Sequence, residues 1–272
     1  MRYFCLSGLV FAVLAAPVWS HEFWIEPEQY QVESNKTMTA HLKNGENFKG
    51  ISLAWFENRF TRFDVIKGNT QTPVEGRMGD TPALKTNSGA AGLMVIVHET
   101  TPSTVTYKEW DKFLRFVDHK DFRNAVEIHE DNGWSKERFR ESYTRHAKSL
   151  VSVGDGSGAD RALGLKTEFV ALTNPYSTTF DGAMDVRLFH DGMPRIDAQV
   201  EVFAKSPEGA VEVSLHRTDD AGEARVPVEA GYAYLFDAVV LQPLAPSAAD
   251  DNAPVWETLW ASLTFEVPLS AP

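Results

Sequence analysis

A mainly β fold is predicted for this chain: a β-rich N-terminal domain carrying an inserted helical segment, followed by an Ig-like or transthyretin-like β-sandwich. Three observations carry that expectation. Short runs of alternating or continuous apolar residues recur along most of the sequence, and glycine-bearing turns separate them. Between residues 107 and 150 the spacing of apolar residues changes to a helical period.

The first element is a leader. Met1, Arg2 and Tyr3 form a short basic start, Phe4 to Ala16 is an almost uninterrupted apolar run without charge, and Val18 and Ser20 occupy the positions a signal peptidase reads. This pattern predicts a signal peptide over residues 1–20, cut after Ser20, with His21 as the first residue of an exported chain. A membrane span needs about 20 apolar residues, and Pro17 with the acidic stretch from Glu22 stops the run short, so no membrane insertion is expected after cleavage. The single cysteine, Cys5, leaves with the leader, and the exported chain then has no disulfide to make.

Residues 21–160 are expected to form the first domain. "TMTAHLKNG" puts Met38, Ala40 and Leu42 on one face of a strand, and "ISLAWF" and "FDVIKG" continue the pattern, with glycines such as Gly45, Gly50 and Gly68 marking turns. "GLMVIVHET" is a continuous apolar run suited to a strand buried on both faces. "TYKEWDKFLRFVDHKDF" spaces Trp110, Phe113, Leu114 and Val117 as a helix does. "SKERFRESYTRHAKSL" does the same with Phe139, Tyr143 and Leu150, after a capping Ser135, so helices are predicted near 107–150. "GDGSGAD", residues 154–160, is a stop and the candidate boundary; it lacks the register of a calcium loop.

Residues 165–272 return to strands. "KTEFVALTNPY", "MDVRLFHDGMP", "AQVEVFAK", "VEVSLHRTDDAGEARVPV", "GYAYLFDAVVL" and "LWASLTFEVP" are separated by turn signals at the spacing of an Ig-like sandwich. "PLAPSAADDNAP", residues 243–254, reads as a polar, proline-rich loop.

Charge narrows the function classes. Removing Arg2 from the 26 basic residues leaves 25 against 38 acidic ones, a net charge of about -13 after cleavage. Nucleic acid and anionic membrane surfaces reward the opposite balance, so neither is expected as a partner. No nucleophile-elbow, P-loop, Rossmann or zinc-peptidase motif is present, and no carboxylate pair is marked by its spacing as acid and base. The chain is therefore read as a non-enzyme.

Histidine is the informative residue type: His21, His41, His98, His119, His129, His146, His190 and His216. As a new terminus, His21 offers an α-amine and an imidazole, which together chelate a divalent transition metal. Glu22 adds a carboxylate but, as a strand neighbour, points to the opposite face. His98, at the end of the buried apolar strand, and His119 and His129, flanking "KDFRNAVEI", are the candidate partners. The metal set is thus His21, His98, His129, His119 and Glu22, suited to nickel, cobalt, copper or zinc. His146 is expected to be a packed structural residue, and His41, His190 and His216 surface residues. The scattered tryptophans are expected mostly in the core. Arg145 and Lys148 can bind an anion, though a solvated helix face is the reading the predicted helix favours.

Four stretches together resemble a known family: "HEFWIEP" after the leader, "VHETTPSTVTYKEWDKFL", "ESYTRHAKSLVSVGDG" and the closing "WASLTFEV". They are similar to the bacterial periplasmic proteins grouped as domain of unknown function 4198. That resemblance implies metal handling in the periplasm, with nickel or cobalt favoured and an envelope transporter component as partner. His21 and Glu22 match the family's His-Glu or His-Asp start. Two further readings stand beside it. One is a copper enzyme built on an N-terminal histidine brace; the other is a non-catalytic scaffold that binds sugar or protein.

Overall fold

The computed structural model describes residues 21–245 and 252–269, and the predicted leader lies outside them. The chain opens with β1 (Glu22–Pro27), β2 (Gln31–Val32), β3 (Thr37–Glu46) and β4 (Lys49–Leu53). Next come β5 (Phe60–Lys67), β6 (Thr70–Pro73), β7 (Leu84–Asn87), β8 (Gly92–Thr100) and β9 (Ser103–Tyr107). Helices α1 (Trp110–His119) and α2 (Ala125–Asp131) precede β10 (Phe139–Val153). The remainder is β11 (Thr167–Ala171), β12 (Ala183–His190), β13 (Met193–Pro194), β14 (Gln199–Lys205), β15 (Val211–Arg217), β16 (Glu223–Pro227), β17 (Ala233–Pro243) and β18 (Trp256–Glu266). The fold is mainly β, as expected.

Three sheets stack. A ten-stranded sheet in the order β15-β14-β17-β18-β10-β8-β5-β6, with β2 and β9 also paired to β10, is the middle layer. Alternation along β8 shows why both its faces are covered. Leu93, Val95 and Val97 share a core with Phe169, Met184 and Leu188 of the four-stranded sheet β11-β12-β13-β16. Met94 and Ile96, one residue out of phase, share another with Phe23, Ile25 and Leu42 of the four-stranded sheet β1-β3-β4-β7. The run "GLMVIV" is therefore buried from both sides, and the expected sandwich takes its second layer from the large sheet.

The helices cover the rest of the face that β1-β3-β4-β7 occupies. Phe113, Phe116 and Val117 of α1 pack on Val239, Trp256 and Trp260. Val239 and Trp260 alternate with Ala238 and Ala261, which face the sandwich. α1 matches the helical spacing of its sequence, but the second predicted helix is corrected: residues 139–153 are strand β10. Phe139, Tyr143 and Leu150 mimic a helical stripe only if the charges between them are solvated. Here Glu141, Arg145 and Lys148 are buried, because β10 runs between β18 on one side and β8 with β9 on the other.

Pairing also crosses the loop at residues 154–160. β10 lies parallel to β18, from Glu141 opposite Trp256 to Ser149 opposite Thr264, so strands before and after that loop share one sheet. Gly45 and Gly50 are not turn residues; they sit opposite each other in the β3–β4 hairpin. A side chain on Gly50 would meet the Trp24 ring at 2.8 Å. The turn itself is Asn47–Phe48, both with positive φ (52° and 55°).

Candidate functional site

Strand register builds the neighbourhood of His21. β1 pairs antiparallel with β3, with Glu22 opposite Gly45, which carries His21 to the level of Glu46 at the hairpin end. His21 Nε2 lies 3.8 Å from Glu46 Oε1, and both side chains are partly exposed, at 54% and 37%. Glu22 points the other way, as alternation requires. It is buried, and one carboxylate oxygen accepts the Asn47 backbone N–H at 3.1 Å. Desolvation, reinforced by Asp237 and Glu201 against the opposing pull of Lys120, raises its pKa to about 8. At neutral pH Glu22 is therefore protonated.

Beneath His21 lies Arg145 of β10, whose Nη1 donates to the His21 carbonyl oxygen. Its guanidinium sits 4.6 Å from the centroid of the Trp260 ring and 5.4 Å from that of Tyr143. Burial pulls its pKa down, against the opposing pull of Asp237, Tyr143, Glu22 and Glu141. Among the described residues no carboxylate forms an ion pair with it. Asp237 is taken by Lys120, at 2.9 Å, and Glu201 also binds Lys120. Glu141 accepts hydrogen bonds from Tyr107, at 2.8 Å, and from Thr258, and burial raises its pKa to about 6.

Two cavities meet at Arg145 and Tyr143. One, of about 490 Å³, is lined by His21, Tyr107, Lys112, Glu141 and Trp260 as well as the shared pair. The other, of about 360 Å³, is lined by Phe23, Phe56, Phe60 and His98 with the same pair. A larger hollow of about 630 Å³, among polar loop residues such as Asn174 and Asp181, holds none of the expected site residues.

The remaining expected ligands do not gather at His21. His98 is 2% exposed, with the rings of Phe23, Phe60 and Phe63 at 5.2, 5.4 and 4.9 Å. Desolvation pushes its pKa down to about 3, so it is neutral, and its buried Nδ1 has no hydrogen-bond partner among the described residues. His129 is fully buried in an aromatic nest: Trp256 Nε1 donates to its Nδ1 at 3.0 Å, which leaves the proton on Nε2 to donate to the Ser135 carbonyl at 3.1 Å. His119 Nε2 is 2.9 Å from Glu201 Oε1. Among the described residues, no three His, Cys, Asp or Glu side chains are grouped so as to hold a metal.

The residues that sequence reasoning missed are Glu46 and the environment of Arg145. Glu46 becomes a neighbour of His21 only through the β1–β3 register, which no local pattern announces. Arg145 stood in view as an anion binder, but on a helix face rather than in a cavity wall. His146 is a packed residue, as expected, with Nδ1 3.2 Å from the Trp260 carbonyl oxygen. Trp24, Trp256 and Trp260 belong to the core.

A family model matches residues 18–242, and its description is "Domain of unknown function (DUF4198)". No curated protein matches the sequence. Among solved structures, the D0-D1 domain of intimin is 13% identical, with a TM-score of 0.23, over 89% of this chain and 97% of its own length. A tetra-tandem repeat from the extending region of a large adhesion protein is 7% identical, with a TM-score of 0.20, over 91% of this chain and 50% of its own. Trypsin-activated alpha-2-macroglobulin from Escherichia coli is 12% identical, with a TM-score of 0.22, over 93% of this chain and 16% of its own. At these TM-scores the three structures carry no argument about role.

Proposed function

The chain belongs to the DUF4198 family, and from that premise we propose that it is a periplasmic protein that binds a divalent transition metal at His21 and hands it to or from an envelope transporter. The observation that carries the proposal is the facing pair of His21 and Glu46, both partly exposed, with His21 in the wall of a cavity. A nitrogen and an oxygen 3.8 Å apart lie within the span of a metal that makes bonds of about 2.0–2.2 Å to each. If the leader is removed after Ser20, the α-amine of His21 supplies a third donor, which chelates with Nδ1 of the same ring once the imidazole turns to present that nitrogen beside Glu46. Three donors from the protein leave positions for water or for an acceptor's ligands, which suits transfer rather than storage.

The fit extends to these donors and no further. His98 and His129 are enclosed by aromatic rings, His119 is engaged with Glu201, and a protonated Glu22 would have to lose its proton before ligating. Imidazole and amine donors suit nickel, cobalt, copper and zinc alike; the preference for nickel or cobalt comes from the family resemblance. Export rests on the leader pattern of residues 1–20, and among the described residues no helix is long and apolar enough to cross a membrane. The protein is read as a carrier, with no catalytic step assigned.

Calorimetric titration tests this. Nickel, cobalt, copper and zinc are titrated into protein that begins at His21, into the same protein with one residue added ahead of it, and into Glu46→Gln. Tight binding that weakens in both altered forms is the expected result. Equal binding by all three forms, or none by the first, would overturn the site.

A further inference from the structure

Three basic residues are buried among the described residues, and Arg145 differs from the other two. Lys120 has Asp237 at 2.9 Å and Lys148 has Asp160 at 2.7 Å. Among the described residues Arg145, 8% exposed, has no carboxylate partner, and its side chain donates to one carbonyl, that of His21. A buried guanidinium normally receives an anion, because desolvating a charge is costly unless something of opposite sign replaces the water. The faces of Trp260 and Tyr143 offset part of that cost. They do not use its remaining N–H donors.

The cavity on the His98 side supplies the other half of a binding site. We propose that the space walled by Phe23, Phe56, Phe60, His98, Tyr143 and Arg145 takes a small monocarboxylic acid with an apolar body, its carboxylate on Arg145. Guanidinium and carboxylate match as a two-pronged hydrogen-bonded pair. Three phenylalanines and a neutral imidazole offer the body an apolar wall. The volume, about 360 Å³, lies within the range of small-molecule pockets. Arg59, exposed at the same cavity, adds a second positive charge that draws an anion toward an otherwise acidic protein. Phe56, 40% exposed, is available to cover the ligand's apolar end. An inorganic anion would leave those rings unused, and an uncharged sugar would leave the guanidinium unpaired.

This site does not depend on a metal at His21, and the test keeps the two separate. Metal-free protein is titrated calorimetrically with acetate, hexanoate, benzoate and phenylacetate, and with hexanamide and benzamide as uncharged counterparts. Hexanoate and at least one aromatic acid saturate, and each amide binds about tenfold or more weakly than its acid, a difference of about 1.4 kcal/mol. Arg145→Met abolishes the preference for acid over amide. Phe56→Ala, a change at an exposed residue, weakens hexanoate severalfold and leaves acetate unchanged. Acids and amides binding alike, or no acid saturating, would overturn the proposal. The comparison on unaltered protein and on Phe56→Ala decides the matter even if Arg145→Met does not fold. Acid binding that survives an added residue ahead of His21, while metal binding is lost, would place the two ligands at separate sites.

Discussion

At the scale of single residues, the histidines divide by what surrounds them. His129 uses both ring nitrogens inside the aromatic nest, so His129→Ala strands the indole N–H of Trp256 and the carbonyl of Ser135. Each buried group left unsatisfied costs about 1–3 kcal/mol; urea unfolding of His129→Ala should show a loss of about 2–4 kcal/mol, with metal binding unchanged. His98 makes a different prediction. Its pKa is about 3 in the folded chain, below its ordinary value of 6.5, so the unfolded state binds the proton more tightly. Its contribution to stability is complete above pH 6.5 and is lost as pH falls toward 3, at about 1.4 kcal/mol per pH unit. Replacing it in His98→Phe, where three phenylalanine rings already line the space, should flatten the fall in stability between pH 6 and 4; denaturant midpoints across that range measure it. An unchanged slope would mean that His98 is not the titrating group. The sequence marked His21 by its place beside the leader and His98 by its place at a strand end. It did not show that one stays open and the other is enclosed, because burial depends on residues such as Phe23 and Phe60 that come from other strands.

At the scale of elements, β8 was legible and β10 was not, for one reason. The apolar run of β8 declares burial on both faces in its own composition, whereas β10 hides charged residues whose partners lie elsewhere. Lys148 shows the difference. It donates to Asp160 at 2.7 Å and to the Arg161 carbonyl at 3.1 Å, with Glu168 at 3.6 Å, and it is 1% exposed. The "GDGSGAD" stretch, read as a plain linker, supplies that Asp160, which also accepts the Ala171 backbone N–H. Lys148→Met leaves Asp160 as an uncompensated buried charge and should cost about 3–5 kcal/mol. Lys148→Met combined with Asp160→Asn should recover part of the loss, and chemical unfolding of both variants compares them. Equal stability of the single and double variants would show that the uncompensated Asp160 charge is not what the loss of Lys148 costs.

For the whole molecule, the linear order of strands suggested two consecutive domains, while the sheet joins strands from both. One ten-stranded layer shares its faces with the two smaller sheets and the helices, so each half of the chain leaves apolar surface bare without the other. Thermal or urea unfolding should therefore give one transition, with tryptophan fluorescence and far-ultraviolet circular dichroism coincident. A fragment of residues 21–160 should fail to fold, for it lacks β18 beside β10 and the sandwich sheet against Leu93, Val95 and Val97. Two separate transitions, or a well-dispersed nuclear magnetic resonance spectrum from the fragment, would refute this. The sequence could not disclose the shared layer, since the parallel pairing of residues 141–149 with 256–264 spans more than a hundred residues and leaves no periodic trace.

That pairing has a consequence for how the protein is made. Residues 256–266 fill the gap between β10 and β17, near the centre of the sheet, yet the ribosome supplies them after every other strand described. Until they pair, β10 and β17 present two open edges in the middle layer, the kind of surface that joins with a second copy. A product that stops between residues 243 and 256 keeps both edges, so termination there yields self-associating chains rather than a smaller working protein.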